Sequence, residues 1–314
     1  MRLIRRLADW PDDDPAGTAA TIGNFDGVHV GHRAMLEALR ERADALGVPA
    51  TAVSFEPLPH EFFAGEEAPG RLQGLRERVA SFAACGMDRL LLLPFGATLA
   101  GQDADAFVRE VLIDTLGVRH LVVGDDFRFG KDRRGDLALL EAAGREHGFD
   151  VAVCGTVERD GERVSSSRIR RHLADGELDA AARLLGRPYR IAGRVVHGEK
   201  VGRTLGFPTA NVALGGHRPP LRGVFAVRAT DLASGEAWPA VANLGERPTV
   251  GGRRLLLEVH VLDAAPALYG HHLAVDFLHR LRGEKRFGSL DELKAQIGAD
   301  ADAARAALAG ADAP

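Results

Sequence analysis

The sequence predicts an α/β domain built on a parallel sheet, followed by an antiparallel β domain that ends in a helix. Short apolar runs alternate with helical patterns in the first half, whereas runs of period two separated by Gly and Pro follow in the second. The chain has 314 residues, which at roughly 150 residues per domain favours two domains. We place the boundary near Gly186, so the predicted domains cover residues 1–186 and 187–314.

The first half carries five predicted strands with amphipathic helices between them. These strands are residues 19–22, 51–55, 89–93, 120–123 and 150–154. Residues 31–46 repeat apolar side chains such as Leu39 at helical spacing, and Gly47 follows as a stop signal. Residues 103–116 carry a similar apolar stripe. Alternation of strand and helix implies a parallel sheet covered by helices, with ligands at the carboxyl ends of its strands.

The second half carries five further predicted strands. These are residues 191–196, 223–229, 240–243, 255–262 and 273–278. In residues 255–262, alternation places Glu258 and His260 on one face and the apolar Leu257 on the other. Such runs are typical of an antiparallel sandwich or barrel. A last helix begins near Ser289, which is a suitable N-cap.

Composition and charge exclude several classes of protein. The 40 basic and 44 acidic residues give a net charge of −4, which argues against a globally basic nucleic-acid binder and an acidic disordered tail. Nearly all basic residues are Arg, which indicates either a local anion site or a coding bias. Nothing in the sequence predicts an oligomeric state.

Cysteine usage and hydropathy indicate the compartment. Cys85 and Cys154 lie far apart in apolar surroundings, so we expect two small core residues in a reducing cytosol. No charge-free stretch reaches the roughly 18 residues of a membrane span, and no apolar run follows the basic N-terminus as in a signal peptide. We therefore expect a cytoplasmic protein with neither a membrane nor a nucleic-acid partner.

The stretch GNFDGVHVGH, residues 23–32, follows a predicted strand and opens a predicted helix. Its glycines allow a sharp turn and a close approach to a ligand. His29 and His32 are three residues apart, so both can point the same way from a helix start, where backbone N–H groups favour phosphate. Two imidazoles with these amides can stabilise a phosphoryl group under attack. A turn with two surface histidines is the alternative interpretation.

This stretch resembles the HxGH signature of the nucleotidyltransferase superfamily, which includes the class I tRNA synthetases. The longer pattern G-x-F-D-G-x-H-x-G-H is similar to the adenylyltransferase half of prokaryotic bifunctional riboflavin kinase/FAD synthetases. The resemblance implies a Rossmann-like domain in which His29 and His32 are catalytic. It also assigns four residues of the loop to ligand binding: Gly23, Phe25, Asp26 and Gly31.

Three other segments of the first half resemble the same family. VSSSRIR, residues 164–170, is similar to the second nucleotide motif of that family. Its Ser hydroxyls and the forked donors of Arg suit the oxygens of a triphosphate. This motif supplies Ser165, Ser166, Arg168 and, as a further choice, Arg170. A helix over residues 168–173 with Ser167 as its N-cap explains the motif equally well.

The two remaining segments resemble loops on the flavin side of that site. VVGDDFRFG, residues 122–130, supplies Asp126, Phe127 and Arg128, preceded by Asp125. In SFEPLPHEFF, residues 54–63, Leu58 stands where many members have His, which puts a role for a His there in doubt. Glu56, Pro57 and Pro59 stay as candidates.

The second half contains the Gly-rich stretch GRVVHGEKVGRTLGFPTANV, residues 193–212. On spacing alone, its glycines favour hairpin loops. The PTAN segment changes this interpretation, because the Thr209 hydroxyl and the Asn211 carbonyl are neutral oxygen ligands that Mg²⁺ accepts when phosphates supply the charge. PTAN resembles the riboflavin kinase signature. The resemblance assigns the phosphates to the loop glycines Gly193, Gly198, Gly202 and Gly206.

Glu258 lies on a strand that is otherwise mostly apolar, and in LEVHVLD it matches the catalytic Glu of the resembled family. The resemblance implies that it takes the proton of the ribityl 5′-hydroxyl. An outward-facing residue of a half-buried strand is the alternative. LRGEKRF, residues 281–287, and ANLGERPTVGG, residues 242–252, are similar to segments around the flavin and its lid, so Arg282 and Phe287 are either flavin contacts or surface residues.

The resemblance extends over residues 18–300 and implies two reactions. MgATP would phosphorylate riboflavin to FMN in a C-terminal riboflavin kinase barrel, and ATP would then adenylylate FMN to FAD with release of pyrophosphate. Flavins would be substrate and product, and Mg²⁺ the cofactor. An HxGH transferase for another acceptor and a flavin-sensing regulator are the other interpretations. Both are disfavoured because Thr209, Asn211 and Glu258 are all present.

Overall fold

The computed structural model describes residues 1–11, 17–198, 206–249 and 252–309. The chain divides into two compact units. Unit 1 comprises Met1–Pro69 and Arg78–Ser165, and unit 2 comprises Gly70–Glu77 and Ser166–Pro314.

Unit 1 is built on a parallel sheet of six strands in the order β1-β4-β3-β2-β5-β6. The strands are β1 Arg2–Ile4, β2 Thr18–Ile22, β3 Ala50–Glu56, β4 Arg89–Pro94, β5 Val118–Gly124 and β6 Asp150–Cys154. The five predicted strands are confirmed, and β1 is additional. Strand β2 is buried along its whole length, as expected where helices cover both faces of a parallel sheet.

Helices cover the two faces of this sheet. They are α1 Val30–Leu46, α2 Pro59–Ala64, α3 Leu75–Ala84, α4 Ala97–Ala100, α5 Ala104–Phe107 and α6 Leu137–His147, with 3₁₀ turns at Leu7–Asp9, Gly65–Glu67 and Lys131–Arg133. Helix α1 packs Leu36 and Leu39 on one face of the sheet, and Leu140 of α6 packs on the other. Gly47 ends α1 with φ of 65°, in the left-handed region that favours glycine. A short hairpin, β7 Glu158–Arg159 with β8 Glu162–Arg163, completes the unit.

The helix predicted over residues 103–116 differs from a regular α-helix. Only α5 is α-helical, and Val108–Thr115 continues it as a π-helix. Val108, Val111 and Leu112 still face the core, so the apolar stripe was interpreted correctly although the winding was not. These three residues are spaced as on an α-helix, so the sequence pattern gave no sign of the wider π-helical turn.

Unit 2 begins with two helices, α7 Ser166–Asp175 and α8 Leu178–Leu185. A closed barrel follows in the order β10-β13-β12-β11-β14-β9, with antiparallel pairing throughout. Its strands are β9 Tyr189–Val196, β10 Ala210–Val212, β11 Gly223–Asp231, β12 Ala237–Thr249, β13 Gly252–Val261 and β14 His272–Arg282. The five predicted strands are confirmed as part of a barrel, and β10 is additional.

The last helix, α9 Leu290–Ala309, packs Ala301, Ala304 and Leu308 against the outer face of the barrel. Its predicted N-cap is confirmed, because the Ser289 hydroxyl accepts the Glu292 N–H at 3.2 Å. No helix among the described residues is both long and apolar enough to cross a bilayer.

Two expectations need correction. Ser167 does not cap a helix over residues 168–173, because α7 already begins at Ser166 and includes it. Cys85 and Cys154 form no disulfide, but both are half-buried at the edge of the core of unit 1 rather than inside it.

Candidate active sites

The loop of residues 23–29 leaves β2 at the point where the sheet order reverses. Strand β2 lies between β3 and β5, so the connections that follow it lead to opposite halves of the sheet. In open α/β sheets, ligands bind at the carboxyl ends of the strands at such a point. Phe25 and Val28 have φ of 48° and 37°, yet both side chains are buried. Non-glycine residues take this conformation only where the surrounding packing holds them, which is common at functional sites.

His29 and His32 lie together at the start of α1. Their rings stack with centroids 3.6 Å apart, and His29 is the N-cap, whose Nδ1 accepts the His32 N–H at 3.3 Å. Because Nδ1 is an acceptor here, the neutral His29 ring carries its proton on Nε2. Gly31 suits this arrangement, since a Cβ there would lie 3.3 Å from the His29 ring. The prediction that both imidazoles point the same way is confirmed.

The surroundings of His32 keep its ring neutral. Burial first, and the adjacent His29 second, hold its pKa well below the usual range. Within the described residues, its Nδ1 is buried and has no hydrogen-bond partner. The edge of the Phe25 ring packs against it, with centroids 5.1 Å apart. His32 is therefore held neutral, so the histidine pair does not carry two positive charges.

Arg78, which the sequence analysis missed, ties the histidine loop to the end of β3. Its side chain is fully buried, and it donates to the Asn24 carbonyl at 3.4 Å, to the Phe55 carbonyl at 2.8 Å and to Glu56 Oε2 at 2.7 Å. Ser54 Oγ also donates to the Asn24 carbonyl, at 3.2 Å. No spacing rule points to a buried Arg on α3, so only its contacts show this role.

The segment of residues 54–63 presents aromatic side chains at the same edge of the sheet. Leu58 is fully buried. Phe62 and Phe63 are 40% and 71% exposed, and both pack edge-on against Phe95, which follows β4. Exposed aromatic rings at a ligand edge suit a planar ring system. Both lie within residues 54–63, but the exposure of a Phe side chain cannot be read from the sequence, so neither was a predicted site residue.

The loop after β5 is built from ion pairs and stacked rings. Asp126 accepts from Arg163 at 2.8 Å, and Arg128 donates to Asp136 at 3.0 Å. Phe127 stacks on Phe129 with centroids 5.5 Å apart. All three predicted residues thus lie at the carboxyl edge, and the two charged ones are partnered within the protein.

The second nucleotide motif lies at the division between the units. Ser165 is the last residue of unit 1, and Ser166 opens α7 in unit 2. Within unit 2, Arg170 Nε donates to the Gly70 carbonyl at 2.7 Å. Arg170 therefore has a main-chain partner within unit 2.

In unit 2, the strand register brings the predicted kinase residues side by side. Asn211 of β10 is paired with Glu258 of β13, and Glu258 is paired on its other side with Asn243 of β12. Residues directly opposite each other on antiparallel strands have side chains on the same face, about 5 Å apart. Three polar side chains from three neighbouring strands therefore meet on the outer face of the barrel. Asn243 was missed, because it lay in a segment whose register the sequence did not reveal.

The four predicted loop glycines differ in their surroundings. At Gly198, a Cβ would overlap the side-chain amide of Asn211, so the main chain passes directly against the PTAN segment. Gly193 lies inside β9, where a Cβ would overlap the Ala213 carbonyl, so strand packing alone requires a glycine there. Gly206 is described, with φ of 88°. Gly202 lies outside the described residues.

A cavity of about 200 Å³ lies between the outer face of the barrel and α9. Residues that line it include Thr209, Asn243, Glu258, His260, Arg282 and Phe287. Glu258 faces outward, as in the alternative interpretation of an outward-facing residue on a half-buried strand. This outer face, however, is covered by α9, and the two form a cleft. Arg282 lies over the Phe287 ring at 5.8 Å, and the carboxylate of Asp300 on α9 holds its guanidinium at 2.8 and 2.9 Å.

Two family models match this chain. The first, described as FAD synthetase, matches residues 12–168, and the second, described as riboflavin kinase, matches residues 185–308.

Curated relatives match along nearly the full length. Three that are named bifunctional riboflavin kinase/FMN adenylyltransferase come from Pseudomonas fluorescens, Escherichia coli strain K12 and Haemophilus influenzae. The first is 53% identical over 98% of both chains, and the second is 48% identical over 97% of both. The third is 46% identical over 98% of this chain and 99% of its own.

A solved structure named macrolide-efflux protein from Streptococcus pneumoniae is also similar to this chain. It matches with a TM-score of 0.81 and 28% identity, covering 97% of this chain and 99% of that one.

Proposed function

This chain belongs to the bifunctional riboflavin kinase/FMN adenylyltransferase family, and we propose that residues 187–314 phosphorylate riboflavin whereas residues 1–186 adenylylate the FMN formed. Family membership sets aside the two other interpretations, a transferase for another acceptor and a flavin-sensing regulator. The observation that carries the division is the separation of the predicted residues. His29 and His32 lie in unit 1, whereas Thr209, Asn211 and Glu258 lie in unit 2.

In the kinase reaction, Glu258 accepts the proton of the ribityl 5′-hydroxyl as that oxygen attacks the γ-phosphorus of ATP and ADP departs. The Thr209 hydroxyl and the Asn211 side-chain oxygen would hold Mg²⁺, and the position of Asn211 opposite Glu258 supports this assignment. A Mg²⁺ ion there would neutralise charge on the phosphates. The cleft under α9 would hold the flavin, with Arg282 and Phe287 as contacts.

In the adenylyltransferase reaction, a phosphate oxygen of FMN attacks the α-phosphorus of a second ATP, and pyrophosphate departs. His29 and His32 donate hydrogen bonds to the phosphoryl oxygens as charge develops on them. The neutral state of His32 supports donation without a fixed positive charge. Ser165, at the end of unit 1, would bind the phosphates, and the loops that carry Phe62 and Phe127 would bind the flavin.

Variants of the two sites test this division. We expect His29→Ala and His29→Asn to lower FMN adenylylation by about 10²–10³ while riboflavin phosphorylation persists. Asn is a good N-cap, so His29→Asn removes the imidazole but keeps the acceptor that starts α1. Glu258→Gln should do the reverse, lowering riboflavin phosphorylation by about 10²–10⁴.

The readout is chromatography of FMN and FAD after incubation of each purified variant with MgATP and either riboflavin or FMN. Each variant carries its own folding control, since the untouched activity should equal that of the unmodified chain. A folded variant that loses both activities would contradict the division.

We also propose that ATP, riboflavin and FMN are the partners of this chain and that it works in the cytoplasm. The small-molecule substrates of the family support this location. Fractionation of cells, with FAD formation measured in each fraction, tests it.

A further inference from the structure

His260, a residue that the two proposed reactions do not use, makes a specific contact beside the kinase site. Its Nδ1 lies 2.8 Å from the Pro208 carbonyl oxygen. A carbonyl oxygen only accepts, so Nδ1 is the donor and carries a proton. The Phe207 ring packs edge-on against the imidazole, with centroids 5.4 Å apart. Both contacts go to the two residues that precede Thr209.

The position of this contact along the strands explains its effect. The pairing of β10 with β13 ends where Ala210 faces Val259. His260 is the next residue along β13, and its side chain bonds to the main chain just outside β10. The His260 side chain thus bonds Pro208 to β13 just beyond the last backbone pair of β10 and β13.

A hydrogen bond that fixes the Pro208 carbonyl also fixes the backbone nitrogen of Thr209. The peptide group is planar, so fixing the direction of one carbonyl fixes the plane of the next amide. Thr209 begins from that plane, and Asn211 lies two residues further on, opposite Glu258. A rotation at Pro208 would therefore move the Thr209 hydroxyl relative to the Glu258 carboxylate.

We propose that His260 is a positioning residue of the riboflavin kinase site: its Nδ1–H bond to Pro208 holds the Thr209 hydroxyl in place beside Asn211 and Glu258. This inference rests on the proposed role of Thr209 and Asn211 in holding Mg²⁺. The rival explanation is a direct role for His260 in proton transfer, which would have to use Nε2, since Nδ1 already donates to a carbonyl.

Two amide side chains separate these explanations. Asn places its nitrogen near the position of His Nδ1, whereas Gln places its nitrogen near the position of His Nε2. In the full-length chain, we expect His260→Asn to keep riboflavin phosphorylation within about 3-fold, because the bond to Pro208 is kept. His260→Gln and His260→Ala should lower kcat by about 10- to 100-fold, as expected when a catalytic group is displaced by about 1 Å.

Those two variants should also raise the Mg²⁺ concentration needed for half-maximal rate. Adenylylation of supplied FMN should be unchanged in all three, which shows that the chain is folded. The proposal is overturned if His260→Asn is as impaired as His260→Ala. It is equally overturned if His260→Gln keeps activity that His260→Asn loses, since that pattern assigns the role to Nε2.

Thr209→Val, measured beside these variants, tests the premise separately. An unchanged Mg²⁺ dependence in Thr209→Val would overturn the proposed metal role of Thr209. The comparison of His260→Asn with His260→Gln would still decide whether the bond to Pro208 matters for kcat.

Discussion

At the candidate adenylyltransferase site, the immediate surroundings of His32 determine whether its ring is charged. Desolvation of the half-buried His32 ring and the adjacent His29 imidazole both lower the pKa of His32 well below its ordinary value. A neutral ring is suited to donating a hydrogen bond to a phosphate without holding it so tightly that pyrophosphate cannot leave. In the proposed adenylylation reaction, directed N–H donors would therefore stabilise the reacting phosphoryl group.

This depressed pKa predicts how stability depends on pH. In the unfolded chain His32 takes up a proton near its ordinary pKa of about 6.5, whereas in the folded chain it resists doing so. Stability should be fully present above that value and should decline as pH falls from about 7 to 5. In His32→Gln this decline should be smaller, which thermal unfolding of the N-terminal domain at each pH measures.

His147→Gln is the matched control, because His147 is exposed on α6. Its decline with pH should equal that of the unmodified chain. Equal declines in His32→Gln and the unmodified chain would contradict a depressed pKa for His32.

One buried side chain, that of Arg78, links two of the elements that carry the candidate adenylyltransferase site. Arg78 on α3 bonds to the loop after β2 and to the end of β3, so it fixes the distance between the histidine loop and the segment that carries the exposed Phe residues. Loops at a sheet edge are held less firmly than the strands that carry them, and such a cross-link compensates for this.

Removing this cross-link should affect both stability and adenylylation. Arg78→Met leaves Glu56 without this ionic partner, and the Phe55 carbonyl loses its Arg78 donor. We expect a loss of about 2–4 kcal/mol in the free energy of unfolding of the N-terminal domain. FMN adenylylation should fall by at least about 10-fold while riboflavin phosphorylation is kept.

Urea unfolding and the two activity assays measure these effects. Arg76→Met on the same helix is the control, since Arg76 is not fully buried. An Arg78→Met variant with full adenylylation would show that the loop does not depend on Arg78.

The elements also show what the sequence could predict and what it could not. Ten of the twelve strands in the sheet and barrel were predictable, because apolar runs and alternation reflect burial directly. Strands β1 and β10 have three residues each, too few for a period to emerge. Histidine spacing and the PTAN segment predicted candidate site residues, since each of these motifs is local in sequence.

Contacts between distant segments could not be predicted in the same way. Arg78 meets Asn24 across 54 residues, and His260 meets Pro208 across 52. Asp300 holds Arg282 from a different element. Such pairs depend on strand register and on how helices pack, and neither can be read from the pattern of a single sequence. His260 alone carried a signal, because it shares the strand face of Glu258.

The chain as a whole combines two sites whose residues belong to different compact units. If His29 serves only adenylylation and Glu258 only phosphorylation, each site should work when the other is disabled in the same molecule. FMN released by one molecule should then be a substrate for another. This makes the division of function testable without separating the domains.

The most direct measurement is FAD formation from riboflavin and MgATP in an equimolar mixture of His29→Asn and Glu258→Gln chains. Alone, the first should stop at FMN, and the second should leave riboflavin unconverted. Together, they should form FAD, with FMN appearing first. A mixture that forms no FAD, although each variant keeps its remaining activity, would contradict the assignment of one independent site to each unit.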